Sequence, residues 1–244
     1  MTTVAQFVKD KVEEMAPGKV FDYSSFTSGM APAEIPSVAQ SLSRLSRRGV
    51  IERLEKGKYY KPKKSIYGKT RPKESEIITI LTFKNNERIG YPTGLPVYNQ
   101  MGLTSQVSNT LIIATVTPKE AKELQGIRVR YVKRIGHFLE EEIPLRQILD
   151  AMQDINTIPD ATPDDCVKVL KGKIEELPMR DRERLTGLAE AYQPRTRALL
   201  GAVIEQYFNK IDTGILRRKL NTLSTFELGV SANTLPNKSS WNIK

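Results

Sequence analysis

Twelve cations and two acids lie between Arg44 and Lys73, and this window holds the whole net charge of +10, because the rest of the 244-residue chain balances to zero. Charge gathered in one place points to a polyanion site, whereas the same excess spread evenly would be a solubility feature. Leading into the window, Ser37, Gln40, Ser41, Arg44, Arg47 and Arg48 recur at helical spacing. Serine and glutamine reach base edges in a major groove, and arginine grips guanine or a phosphate. Lys56, Lys58, Lys61, Lys63 and Lys64 follow, with Tyr60 among them. Together these residues form the candidate set for contact with double-stranded DNA.

Other chemistries find little to work with. The chain has one histidine, His137, and one cysteine, Cys166, which removes an intramolecular disulfide, a cysteine-based zinc site and most histidine-based catalysis. Thr93, Thr104 and Ser105 are conceivable nucleophiles, but no histidine or lysine stands at an activating spacing. No phosphate-binding glycine loop occurs. The paired acids at Glu140–Glu142, Asp164-Asp165 and Glu175-Glu176 are neighbours whose side chains diverge on a helix, so helix starts and solvated faces account for them. The expectation is a non-enzyme without cofactor or metal. No apolar run reaches the roughly 18–20 residues of a membrane span, and the first fifteen residues are amphipathic instead of signal-like. A cytoplasmic protein with no membrane partner is the default.

The cations need elements to present them. Val4, Phe7, Val8, Val12 and Met15 repeat with helical period and stop before Pro17-Gly18. Residues 19–21 suit a short strand. Asp22 suits the cap of a single turn over 23–27, with Phe26 inward. Gly29 and Pro32 break the chain before a further helix, in which Pro36 fits the first turn and Val38, Ala39, Leu42 and Leu45 form the buried stripe. Gly49 ends that helix, Val50, Ile51 and Leu54 return to the core, and Gly57 turns a hairpin whose second strand covers 58–61. Helix, strand, turn, helix and basic hairpin make a winged helix-turn-helix over residues 1–62.

The stretch LSRLSRRGVIERLEKGKYYKP resembles the N-terminal winged helix of AbiEi-type antitoxins of bacterial abortive-infection toxin–antitoxin systems. It matches the pattern L-x-R-L-x-x-x-G-x-I-x-R-L-x-x-G-x-Y with Leu42, Arg44, Leu45, Gly49, Ile51, Arg53, Leu54, Gly57 and Tyr59. A second similarity follows at Tyr91-Pro92-Thr93-Gly94, Tyr98-Asn99 and Met101 to Val107, where the family has a small-residue–glycine turn and a helix ending in G-L-[ST]-x-Q. The two together cover about the first 135 residues. The resemblance implies a transcriptional regulator that represses its own operon and counters a nucleotidyltransferase-like toxin. It gives no residue-by-residue role beyond position 140.

Behind the basic hairpin, 63–72 reads as a basic linker, extended along phosphates or mobile. Residues 73–138 read as a small α+β domain. It has a helix over 73–83, a short strand at 88–91, a helix over 94–101, strands over 109–116 and 126–134, and a helical turn over 119–124 between those strands. His137 follows as a strand-end or interface residue. Residues 139–244 read as a helical region with helices near 143–152, 162–174, 180–192, 195–209 and 214–223, then a strand at 226–230 and a loose tail in which Trp241 serves to anchor the tail, with docking on a partner as the alternative. The fold class expected is α+β and predominantly helical. The function expected is a DNA-binding transcriptional regulator. The alternative is a winged-helix interaction module binding RNA or protein without a regulatory role, and a homo-oligomer is open in either case.

Overall fold

The computed structural model describes residues 3–66, 68–117, 119–208 and 210–244, apart from the side chains of Lys64 and Ser65. The fold is α+β, in two compact units: residues 1–90 with 121–129, and residues 91–120 with 130–244. The segment 63–72 and the helix after it therefore go with the first unit, where the sequence suggested a linker and a separate domain over 73–138.

In the first unit, helix α1 (Val4–Glu14) begins at Thr3, whose side chain accepts from the Gln6 N–H, and it buries Val8 and Val12. Strand β1 (Val20–Asp22) leads into a 3-10 turn, Tyr23–Phe26, capped by the Asp22 carboxylate at 3.1 Å from the Ser25 N–H. Helix α2 (Ile35–Arg47) has Pro36 in its first turn and buries Val38, Leu42 and Leu45. It stops because Gly49 takes φ +69. The Val50 N–H then returns to the Leu45 carbonyl and the Gly49 N–H to that of Ser46, so the orphaned carbonyls of the last turn are satisfied.

Strands β2 (Glu52–Glu55) and β3 (Lys58–Tyr60) form the hairpin turned at Gly57, which takes φ +79. Strand β3 also pairs antiparallel with β1, Val20 opposite Tyr60, giving the order β1-β3-β2. The core of this sheet and the two helices is Val8, Val12, Phe21, Phe26, Val38, Leu42, Leu45, Ile51 and Tyr59. The Phe21 ring meets Phe26 edge-on at 5.5 Å and stacks on Tyr59 at 6.2 Å. Two inward assignments are corrected. Ala39 and Val50 are exposed, the first on the flank of the α2 stripe and the second in the turn that closes the helix.

The 63–72 stretch is a hairpin and not an extended linker: β4 (Lys64–Ser65) pairs antiparallel with β5 (Gly68–Lys69). Helix α3 (Glu74–Thr82) follows, and its Glu76 carboxylate accepts the Val20 N–H at 3.2 Å. Strands β6 (Phe83–Lys84) and β7 (Glu87–Arg88) turn through Asn85 and Asn86, both at positive φ, a conformation that asparagine tolerates better than other non-glycine residues.

Strand β8 (Gly90–Thr93), helix α4 (Leu95–Gln100) and strand β9 (Thr110–Thr115) come next. Strands β10 (Lys122–Leu124) and β11 (Ile127–Lys133) complete a four-stranded sheet of order β10-β11-β9-β8. The expected helical turn over 119–124 is thus corrected to a strand, its turn at Gln125-Gly126 taking positive φ at both positions. Helices α5 (Ile143–Gln153), α6 (Pro163–Glu175), α7 (Met179–Leu188), α8 (Pro194–Tyr207) and α9 (Gly214–Arg218) pack around a core that runs from Val97 to Ile243. Thr162 caps α6 by accepting the Asp165 N–H, with Pro163 in the first turn.

The C-terminal segment is not loose. Leu228, Val230, Leu235, Trp241 and Ile243 are buried, and Phe226 and Ile243 form a single parallel bridge in place of the strand expected at 226–230. Trp241 lies over Gly201 of α8, where any Cβ would fall inside the indole ring, and its N–H donates to Glu205. Among the described residues no helix is long and apolar enough to cross a membrane.

Candidate nucleic-acid interface

Helix α2 separates its residues by direction. At about 100° per residue, Ser37, Gln40, Arg44, Arg47 and Arg48 spread over about 100° of arc, its centre about 140° around the helix from that of the stripe of Val38, Leu42 and Leu45. All five are exposed. The three arginines make no side-chain hydrogen bond or ion pair among the described residues. They stand at the C-terminal end of the helix, where the dipole favours cations. Lys56 at the tip of the β2–β3 hairpin and Lys63 before β4 are exposed as well.

The other candidates lie elsewhere. Ser41 is buried, about 60° from Val38 on the helix, and its hydroxyl donates to the Ser37 carbonyl at 2.8 Å. Tyr60 is buried in β3, and burial followed by the nearby Glu52 charge raises its phenol above the usual value. Lys58 is half-buried, 2.7 Å from Glu55 and 3.2 Å from the Ile80 carbonyl to which it donates. Lys61 donates to the Glu13 carbonyl at 2.6 Å and the Met15 carbonyl at 2.9 Å, so it closes the C-terminal end of α1. These four leave the contact set as corrections: two face the core, and two lysines satisfy backbone carbonyls that would otherwise lack donors. The Lys64 side chain lies outside the described residues.

The two acids of the basic window have internal roles. Glu52 pairs with Lys69, and Glu55 pairs with both Lys58 and Lys122. Burial pushes the Glu55 carboxyl up, but hydrogen bonds and charge from Lys122 and Lys58 more than offset it, and the net direction is down. Neutralisation therefore falls on lysines of the hairpins and leaves the arginines of α2 positive.

A second polar cluster, in the other unit, was not visible in the sequence. The fully buried Asp150 of α5 accepts from Arg134 Nε at 2.6 Å, Thr93 at 2.6 Å, Tyr192 at 3.0 Å and Tyr91 at 3.1 Å. Burial raises the Asp150 carboxyl, against the opposing effect of Arg134 and the hydroxyls. Burial alone would lower the Arg134 guanidinium, but the Asp150 charge overcomes it and the net direction is up. Burial also raises the phenols of Tyr91 and Tyr192. Every oxygen of the carboxylate is used by the chain itself, which marks a structural knot. The partners come from three places distant in the chain, Tyr91 and Thr93 in β8, Arg134 just past β11, and Tyr192 before α8, so no local spacing announces them. Asn99, read as satisfying the backbone of an irregular turn, donates to the Thr104 carbonyl at 3.0 Å. Among the described residues no group of acids, histidines and cysteines could hold a metal ion. His137 is exposed.

Against known proteins, residues 7–154 match the family described as "Family of unknown function (DUF6088)". No curated protein sequence matches the chain. Among solved structures, the crystal structure of the RV2827C protein from Mycobacterium tuberculosis is similar, with a TM-score of 0.51 at 12% identity, covering 91% of this chain and 83% of that one. At that identity the likeness concerns the fold alone.

Proposed function

The chain belongs to the family of unknown function DUF6088, and from that premise we propose that residues 1–62 are a winged helix that binds duplex DNA through α2. The protein would act as a transcriptional regulator of the AbiEi-like kind. The observation that carries the reading is the exposed arc of Ser37, Gln40, Arg44, Arg47 and Arg48, set on a helix that buries Val38, Leu42 and Leu45 away from it. The order of elements supports it: α1, β1, a single turn, α2 and the β2–β3 hairpin, with β1 completing the sheet beside β3. Small polar residues near the start of α2 suit base edges, and the arginines further along suit guanine or phosphate. Repression of its own operon and restraint of a nucleotidyltransferase-like toxin follow from the resemblance in Leu42–Tyr59 and Tyr91–Val107.

The test is binding to a duplex taken from upstream of the protein's own reading frame. Replacing both Arg44 and Arg48 by alanine weakens sequence-preferring binding by roughly 1–3 kcal/mol for each arginine that reads a base. Both side chains are exposed, so the fold is retained and circular dichroism checks it. Undiminished binding in the double variant overturns the assignment of α2.

A further inference from the structure

We propose that the β4–β5 hairpin is a second DNA-contacting element, which inserts Ile66 between base steps of the minor groove beside the site of α2. The inference rests on the DNA-binding reading of α2. It starts from Ile66, which stands at the hairpin tip, 92% exposed. Tight turns ordinarily take glycine, asparagine, aspartate or serine at such positions, and a β-branched apolar side chain left wholly in water contributes nothing to this fold.

The surroundings of Ile66 are cationic. Lys63 and Arg71 flank the hairpin and are exposed, and the backbone register sets Lys64 opposite Lys69. An exposed apolar side chain flanked by cations is the device by which minor-groove proteins part a base step and kink the duplex. It is too small an apolar patch for a stable protein partner.

The hairpin is also held in the right place. Lys69 is ion-paired to Glu52, just beyond the end of α2. A Cβ placed on Gly49 would lie 2.8 Å from the Lys69 ammonium, so the hairpin abuts the turn that follows Arg47 and Arg48. The β2–β3 hairpin is poorly supplied by comparison, since Lys58 and Lys61 are tied to internal carbonyls and Lys56 alone extends from its tip. The exposed cations flanking the second hairpin, Lys63 and Arg71, are therefore the ones it offers to a duplex.

The experiment uses the full chain and a short duplex from upstream of its own reading frame, with donor and acceptor dyes at the two ends. Wild type, Ile66→Ala, Ile66→Asp and the Arg44→Ala/Arg48→Ala double variant are compared for affinity and for energy transfer at saturation. The wild type is expected to bind and shorten the end-to-end distance. Ile66→Ala is expected to bind about tenfold or more weakly, the loss from one unburied side chain, and to leave the duplex nearly straight. If Ile66→Ala and Ile66→Asp bend the duplex as the wild type does, the wedge is overturned while the reading of α2 stands. If the wild type binds no duplex, both fall. If the wild type also binds anionic phosphatidylserine vesicles, and Ile66→Asp abolishes that while leaving the bend intact, Ile66 serves a lipid surface and the wedge is again overturned.

Discussion

Asp150 has no exposed surface, and its hydrogen-bond partners all come from the chain. Removing it leaves the Arg134 guanidinium and the Thr93, Tyr91 and Tyr192 hydroxyls facing a vacated carboxylate. Breaking a buried pair from one side costs about 3–5 kcal/mol, so Asp150→Ala is expected to lose that much in urea unfolding. A loss under about 1 kcal/mol would mean the network carries little of the unit's stability. At this scale the sequence told exposure better than occupation. The arginines of α2 were legible because period and sign agree. Ser41 and Tyr60 were not, because a small hydroxyl on the flank of a stripe and a tyrosine in a strand are read equally well as inside or outside. Lys58 and Lys61 are subtler: nothing in the sequence distinguishes a lysine that reaches a phosphate from one that caps its own backbone.

Among the elements, β2 shows how a single carboxylate fastens a hairpin distant in sequence. Glu55 meets both Lys58 across its own turn and Lys122 of β10. Its folded titration is lowered, so the stability it lends is present above its unfolded value, at neutral pH, and is lost as pH falls through the folded value. Acid unfolding of wild type and Lys122→Met is the measurement. The variant is expected to be less stable near neutrality, the two converging once the carboxyl is protonated, and a constant difference down to the lowest pH would contradict this. Elements with a period were readable, as were those with a cap: α1, α2, α6 with Thr162-Pro163, and β11 with its alternation. The two-residue strands β4–β7 were not, for a strand of two has no period to detect. The segment after 224 looked loose because its apolar residues are spaced irregularly. What seats Trp241 is Gly201, a residue whose lack of a side chain carries no signal until the ring is placed above it.

For the molecule as a whole, the decisive feature is that an excess of +10 is confined to residues 44–73, and that the two acids within it are engaged with lysines. Positive charge is thereby left on the arginines of α2, and a duplex meeting that face must release counterions. The second unit, built on its own core and on the Asp150 network, has no comparable excess. The role proposed for this face is binding duplex DNA. The direct measurement is the affinity of the full chain for a duplex from upstream of its own reading frame, titrated from about 50 to 200 mM salt beside a scrambled duplex of equal length. With about six phosphates engaged, the affinity is expected to fall around a thousandfold or more across that range, and the upstream duplex is expected to hold a preference throughout. An affinity that barely moves with salt, or no binding to either duplex, would contradict it.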